Sequence, residues 1–224
     1  MITDYIGCDH FKIENNSQAI WKNKPHKKII IAPHHTIDFE NKKNYFSTFL
    51  KLSEDFINLS IKYKNMIDFC FKPHPALKEK LYSHKDWGYH KTNDYYNFWN
   101  NGSNTILSQE DYHDLFVQSD ALILDSVSFT AEYLYLNKPY CFLIKDNFDY
   151  NSSLNEIGKK IFKILNKSNN INSIKKFIND NVIKINQSQL NQQKQILNEL
   201  NILNKNNQLA SEIIYDFISK SIFN

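Results

Sequence analysis

One rhythm restricts the fold of this chain more than any other feature. Short apolar runs, each closed by a proline or a polar residue, alternate with stretches whose apolar residues recur at helical spacing. Lys27-Lys28-Ile29-Ile30-Ile31-Ala32-Pro33 is the first run. Met66-Ile67-Asp68-Phe69-Cys70-Phe71 is the second and leads into Lys72-Pro73-His74-Pro75. Asn104-Thr105-Ile106-Leu107, Ala121-Leu122-Ile123-Leu124 and Tyr140-Cys141-Phe142-Leu143-Ile144 follow. Between them, Tyr45, Phe49, Leu52, Phe56, Leu59 and Tyr63 mark a long amphipathic helix, and Ala76 to Tyr82, Asp111 to Gln118 and Phe129 to Leu136 mark shorter ones. Trp87 to Gly102 is aromatic and polar without a period, which predicts loop and short helix. Strands alternating with helices predict right-handed βαβ units: an α/β, Rossmann-like parallel sheet of five strands with helices on both faces.

The chain divides into three parts on this reading. Residues 1–26 form a lead-in segment, 27–146 the Rossmann-like domain, and 147–224 a helical tail of about four helices, where Asn, Gln, Lys and Ile replace the earlier composition but apolar periodicity persists. With 42% hydrophobic and 23% charged residues, a chain of 224 residues builds a substantial core. Lys+Arg exceed Asp+Glu by only 27 to 24, spread along the chain, so no nucleic-acid partner is expected. No apolar run reaches the ~18–20 residues of a membrane span. The three cysteines, Cys8, Cys70 and Cys141, are far apart, as suits a reducing cytoplasm.

The four glycines also stand far apart, which excludes GxGxxG and a P-loop. A phosphate must therefore be held in another way, and in an open parallel sheet the place is beyond the carboxyl ends of the strands. Three such ends carry polar residues. After the fourth run, Asp125-Ser126-Val127-Ser128 stands where a helix begins, and Glu132 follows one turn later. Either these residues meet a diphosphate and a ribose hydroxyl, or Asp125 or a serine caps the helix and Glu132 is solvated. After the second run, two prolines pin His74 beside Lys72. After the first, His34-His35 offers a general base; adjacent histidines point apart in extended chain, so one is expected to face the site. No Cys, Asp or Glu falls near these histidines at ligand spacing, so no metal is expected. The aromatic stretch from Trp87 to Trp99 is expected to close a hydrophobic flank.

Phe71-Lys72-Pro73-His74-Pro75, then the segment from Asp111 to Ser128, Glu132 and Asn137-Lys138-Pro139 together resemble the C-terminal half of CDP-glycerol glycerophosphotransferases, GT-B enzymes of teichoic acid and capsule assembly. The resemblance spans roughly residues 27–145. It implies that this half binds the donor nucleotide, with Lys72, His74, Asp111, Asp125, Ser126, Ser128 and Glu132 as nucleotide- or phosphate-binding residues. The strand-end histidines themselves are expected to supply the base that activates an acceptor hydroxyl, His35 foremost, then His34 and His74. Val127 stands where the family has the first serine of a pair, Glu132 replaces an Asp, and His34-His35-Thr36 replaces a Thr-aromatic-Arg segment. Similar segments occur in nucleotide-sugar enzymes, so the donor stays open between CDP-glycerol and a nucleotide sugar, with no further cofactor. The implied partners are that donor, a glycan or polyol-phosphate acceptor, and an acceptor-binding half or synthase, with cytoplasmic location and peripheral contact with the inner membrane face. The other reading of the same residues is a non-catalytic nucleotide-binding scaffold that docks a polysaccharide synthase.

Overall fold

The computed structural model describes residues 6–11, 19–22, 25–37, 45–146, 148–150, 152, 154–200 and 208–223. Parts of the lead-in segment and of the asparagine-rich tail lie outside them. Six strands form one wholly parallel sheet: β1 (Lys27–Ala32), β2 (Ile67–Phe71), β3 (Thr105–Leu107), β4 (Ala121–Leu124), β5 (Tyr140–Leu143) and β6 (Asn166–Ser168). Their order is β3-β2-β1-β4-β5-β6. The chain winds outward from β1 in one direction, then returns to pair β4 on its other side, with Ile29 opposite Phe69 on β2 and Ala121 on β4. The gap between the carboxyl ends of β1 and β4 is therefore the switch point of the sheet, where a crevice opens.

The strands are buried on both faces, and alternation along them sorts side chains into two cores. Ile29, Ile31, Phe69, Phe71, Ile123 and Leu143 face α1 (Phe49–Lys62), α2 (Leu77–Ser83), α3 (Gly88–Asn101) and α7 (Ile171–Phe177). Ile30, Cys70, Leu122, Leu124, Tyr140 and Phe142 face α4 (His113–Gln118), α5 (Ser128–Leu134), α6 (Glu156–Ile164) and α8 (Gln187–Leu200).

Two elements differ from the sequence-based expectation. The stretch after Trp87 is a helix of 14 residues, α3, because Thr92, Tyr95, Tyr96 and Trp99 recur on one buried face while the polar residues between them point outward. Its aromatic side chains close the flank, with Phe71 stacked on Trp99 at 5.3 Å and edge-on to Tyr95 at 5.4 Å. The tail is helical, as expected, apart from β6, whose polar Asn166-Lys167-Ser168 extends the sheet beside β5. A π-helical turn, Ile178–Ile183, follows α7, and α9 (Ala210–Phe223) ends the described residues. Many asparagines here serve as caps: Asn155 accepts from Gly158 N, and Asn170 from Asn172 N and Ser173 N. Asp9, in a 3₁₀ turn at Ile6–Phe11, accepts from Ala210 N and Ser211 N and so caps α9 from the other end of the chain.

Candidate functional site

A cavity of about 570 Å³ opens at the switch point. Four strand ends build its walls: Ala32, Pro33 and His34 after β1; Lys72 to Pro75 after β2; Gln109 to His113 after β3; Ser126, Ser128 and Phe129 after β4. The short strands stop at these positions because proline or a polar residue ends each ladder, so the functional side chains lie where the sheet's backbone bonding has run out.

Six of the nine residues singled out from the sequence line this cavity: His34, Lys72, His74, Asp111, Ser126 and Ser128. The Ser126 and Ser128 hydroxyls lie 2.9 Å apart. Neither serine caps α5, whose N-cap position is Val127 with no side-chain cap bond, so the simple capping alternative does not hold for Ser126, Ser128 or Asp125. Lys72 is buried and donates from Nζ to the Glu110 carbonyl at 2.6 Å, which ties the β3–α4 loop to the end of β2. Burial holds its ammonium below the ordinary lysine range. Asp111 Oδ1 accepts from the backbone N–H groups of Tyr112 and His113 and pairs with His113 Nδ1 at 2.6 Å. The bond from the His113 N–H leads the causes that lower the Asp111 carboxyl. Asp111 thus shapes the start of α4 as well as bounding the cavity.

Asp125 and Glu132 lie outside the lining, and His35 stands behind it. The Asp125 carboxylate is fully buried and knots the β1 loop to the start of α1. Its Oδ1 accepts from His34 N at 2.5 Å, and its Oδ2 accepts from Thr48 N at 2.7 Å, the Ser47 hydroxyl at 2.9 Å and the Thr48 hydroxyl at 3.2 Å. Burial pushes the carboxyl up to about 6 despite these donors. It therefore fixes the backbone of His34. Glu132 is also buried, is bonded by Tyr112 and is raised by burial, so it braces the aromatic wall.

The two adjacent histidines do not point apart. The chain bends after β1, with Ile37 N donating to the His35 carbonyl, so strand alternation no longer applies. The ring of His34 lies 4.3 Å from that of His35 and 5.0 Å from that of His74, and His35 lies 4.1 Å from His74. One ligand atom from each of the three falls within 4.8 Å of the others, the group among the described residues able to hold a metal ion. Burial foremost, then its two neighbours, lowers His34 to about 4, and burial lowers His74 as well. His34 Nδ1 sits 3.1 Å from Thr36 Oγ1, whereas His74 Nδ1 accepts from Ala76 N at 3.1 Å.

The sequence reading missed the wall that follows β3. Gln109, Glu110, Tyr112 and His113 obey the same strand-end rule, and Tyr112 packs on Phe129 at 4.8 Å to form an aromatic surface. The lead-in segment contributes too, since His10 packs on His113 at 4.2 Å. A turn with no period gave no signal of that contact.

Comparison with known proteins adds the following. Residues 18–156 match the family model of CDP-glycerol:poly(glycerophosphate) glycerophosphotransferases. A variant of the wall teichoic acid polymerase TagF superposes with a TM-score of 0.59 at 20% identity, over 89% of this chain and 45% of that one. A co-structure of Staphylococcus aureus MnaA with UDP gives 0.51 at 14%, over 86% and 46%. The UDP-GlcNAc 2-epimerase from Neisseria meningitidis bound to UDP-GlcNAc gives 0.50 at 16%, over 89% and 45%. The chain thus spans less than half the length of these solved structures. No curated protein matches significantly.

Proposed function

The chain belongs to the CDP-glycerol:poly(glycerophosphate) glycerophosphotransferase family, and from that premise we propose that its cavity holds the nucleoside diphosphate of an activated donor, as one half of a GT-B transferase making a cell-surface polymer of the teichoic acid or capsule type. One observation carries the reading: a cavity of about 570 Å³ at the sheet's switch point gathers two serine hydroxyls, a lysine, three histidines and an aromatic wall. Hydroxyls and cations suit the diphosphate, and the Tyr112–Phe129 surface suits the base. UDP and UDP-GlcNAc in the MnaA and Neisseria structures support a nucleotide in this fold.

In the transfer, an acceptor hydroxyl attacks the donor and its proton passes to a neutral imidazole. With CDP-glycerol the attacked atom is the phosphorus bearing glycerol and CMP leaves; with a nucleotide sugar it is the anomeric carbon and the nucleoside diphosphate leaves. His34 is the best placed of the three candidate bases. It lines the cavity, its low proton affinity keeps it neutral at pH 7, and the tautomer in which Nδ1 donates to Thr36 Oγ1 leaves a lone pair on Nε2. His74 suits the opposite role, because accepting the Ala76 N–H at Nδ1 leaves the proton of the neutral ring on Nε2, ready to bond a phosphate oxygen. Lys72 and the serines stabilise the departing charge. The acceptor side of the cleft belongs to a second half, in keeping with the doubled length of the solved structures, and residues 27–146 are the nucleotide-binding unit. No helix among the described residues is long and apolar enough to cross a membrane.

Calorimetric titration with CDP, UDP, GDP and CDP-glycerol tests the proposal. One nucleotide is expected to bind selectively, and Ser128→Ala is expected to weaken it by about 1–3 kcal/mol. Equal affinity of the variant removes Ser128 from the site, and no binding of any nucleotide overturns the reading. Selective binding without turnover by this chain alone favours the half-enzyme or the nucleotide-binding scaffold over a self-sufficient transferase.

A further inference from the structure

We propose that His34, His35 and His74 form a site for a divalent transition metal ion of the zinc, cobalt or nickel type at the inner end of the cavity. The three rings reach one point from two loops that the parallel pairing of β1 and β2 sets side by side, with His74 N donating to the Pro33 carbonyl and so locking the loops together. Their ligand atoms already lie within 4.8 Å of one another. Nitrogen ligands at ~2.0–2.1 Å from a tetrahedral ion stand roughly 3.3 Å apart, so the rings must close by about an ångström or so, which rotation about side-chain bonds supplies.

The chemistry of the donors selects the ion. Three imidazoles without a carboxylate suit zinc, cobalt, nickel or copper and disfavour magnesium, which takes oxygen ligands. Ligation needs a lone pair on each ring, which a neutral imidazole supplies. The Thr36 hydroxyl at His34 Nδ1 supplies the outer contact that orients a ligating ring and directs Nε2 to the ion. His74 carries the opposing contact: the Ala76 N–H at its Nδ1 must be released or displaced when the ring takes a metal, which limits affinity. Three protein ligands leave the fourth position open, and His34 and His74 border the cavity, so that position faces the space lined by Lys72, Ser126 and Ser128. The site does not depend on the nucleotide reading, since the ion binds without a donor present; an ion on His34 Nε2 takes the lone pair a base needs, so His34 serves as the base of the transfer only in the metal-free chain.

The test is cobalt(II) titration of the metal-stripped chain, read by visible d–d absorption and by hyperfine-shifted imidazole N–H resonances. Competing thiols do not confuse it, because Cys8, Cys70 and Cys141 are all buried. One ion per chain is expected, in a four- or five-coordinate spectrum, displaced by zinc and not by magnesium. His34→Gln, His35→Gln and His74→Gln should each weaken binding at least ~10-fold, while His113→Gln, which alters the neighbouring Asp111–His113 pair, should leave it intact. The shifted N–H resonances of the unsubstituted chain count the imidazoles even if a variant fails to fold. Absence of a d–d signal at millimolar cobalt, fewer than three shifted imidazoles, or binding that follows His113 instead would each overturn the proposal.

Discussion

Asp125→Asn separates two opposing effects at one buried carboxylate. The side chain is enclosed, and its two oxygens face different backbone donors, His34 N–H on Oδ1 and Thr48 N–H on Oδ2. An amide offers a single acceptor oxygen, so whichever way it turns, one of those N–H groups meets an NH2. The Ser47 and Thr48 hydroxyls can reverse their roles, but a backbone N–H cannot. Orphaning it costs up to about 3 kcal/mol relative to a neutral carboxyl in the same place. Against this stands relief from burying a charge. The carboxyl rises from 3.8 to about 6 on folding, so its contribution to stability is fully present below pH 3.8 and is lost as pH climbs through about 6. At 1.36 kcal/mol per unit, that loss is about 1.5 kcal/mol at pH 5 and about 3 kcal/mol at pH 7. The variant does not titrate. It should therefore be less stable than the unsubstituted chain by about 1–2 kcal/mol at pH 5 and nearly equal to it at pH 7. Urea unfolding followed by far-UV circular dichroism at the two pH values measures the difference, in which all other titrating groups cancel. A stability gap that is constant between pH 5 and 7, or that widens towards pH 7, would refute the reasoning.

Two further expectations concern single positions. A methyl group at Gly102 would run into the Thr105 hydroxyl, which donates to the Phe98 carbonyl, so Gly102→Ala should cost about 1–3 kcal/mol in the same unfolding assay even though the backbone there suits any residue. In the metal-free chain, the His34 ring resonances should titrate near pH 4 in NMR spectra. A midpoint at the ordinary histidine value would mean that the ring is solvated and does not stand against His35 and His74.

The sheet was legible in the sequence because each run that forms β1 to β5 is apolar throughout and ends sharply, which is what burial on both faces demands. β6 was illegible for the same reason. Asn166-Lys167-Ser168 is polar and of low strand propensity, and it pairs with β5 through tertiary context, where the Cys141 thiol and the Ser168 hydroxyl meet at 3.1 Å. α3 was hidden because aromatic and polar residues interleave, and its period appears only when Thr92 is counted with Tyr95, Tyr96 and Trp99. At the cavity, residues read from strand ends came together, since proximity there follows from parallel pairing alone. The knot at Asp125 was hidden because its partners, Ser47 and Thr48, are 78 and 77 residues away and no local pattern announces them. The imidazole cluster was missed likewise: its ligands lie on two loops, and spacing along one loop does not show it.

Both margins of the sheet consist of strands only three residues long, β3 and β6, and β6 carries a lysine and an asparagine. Such margins offer little backbone for another strand to join, which guards the molecule against edge-to-edge association. On the half-enzyme reading proposed above, a companion lobe approaches over the loops at the carboxyl ends and not along the sheet margins, so that two such bodies can part and close again without breaking a strand pairing in this one.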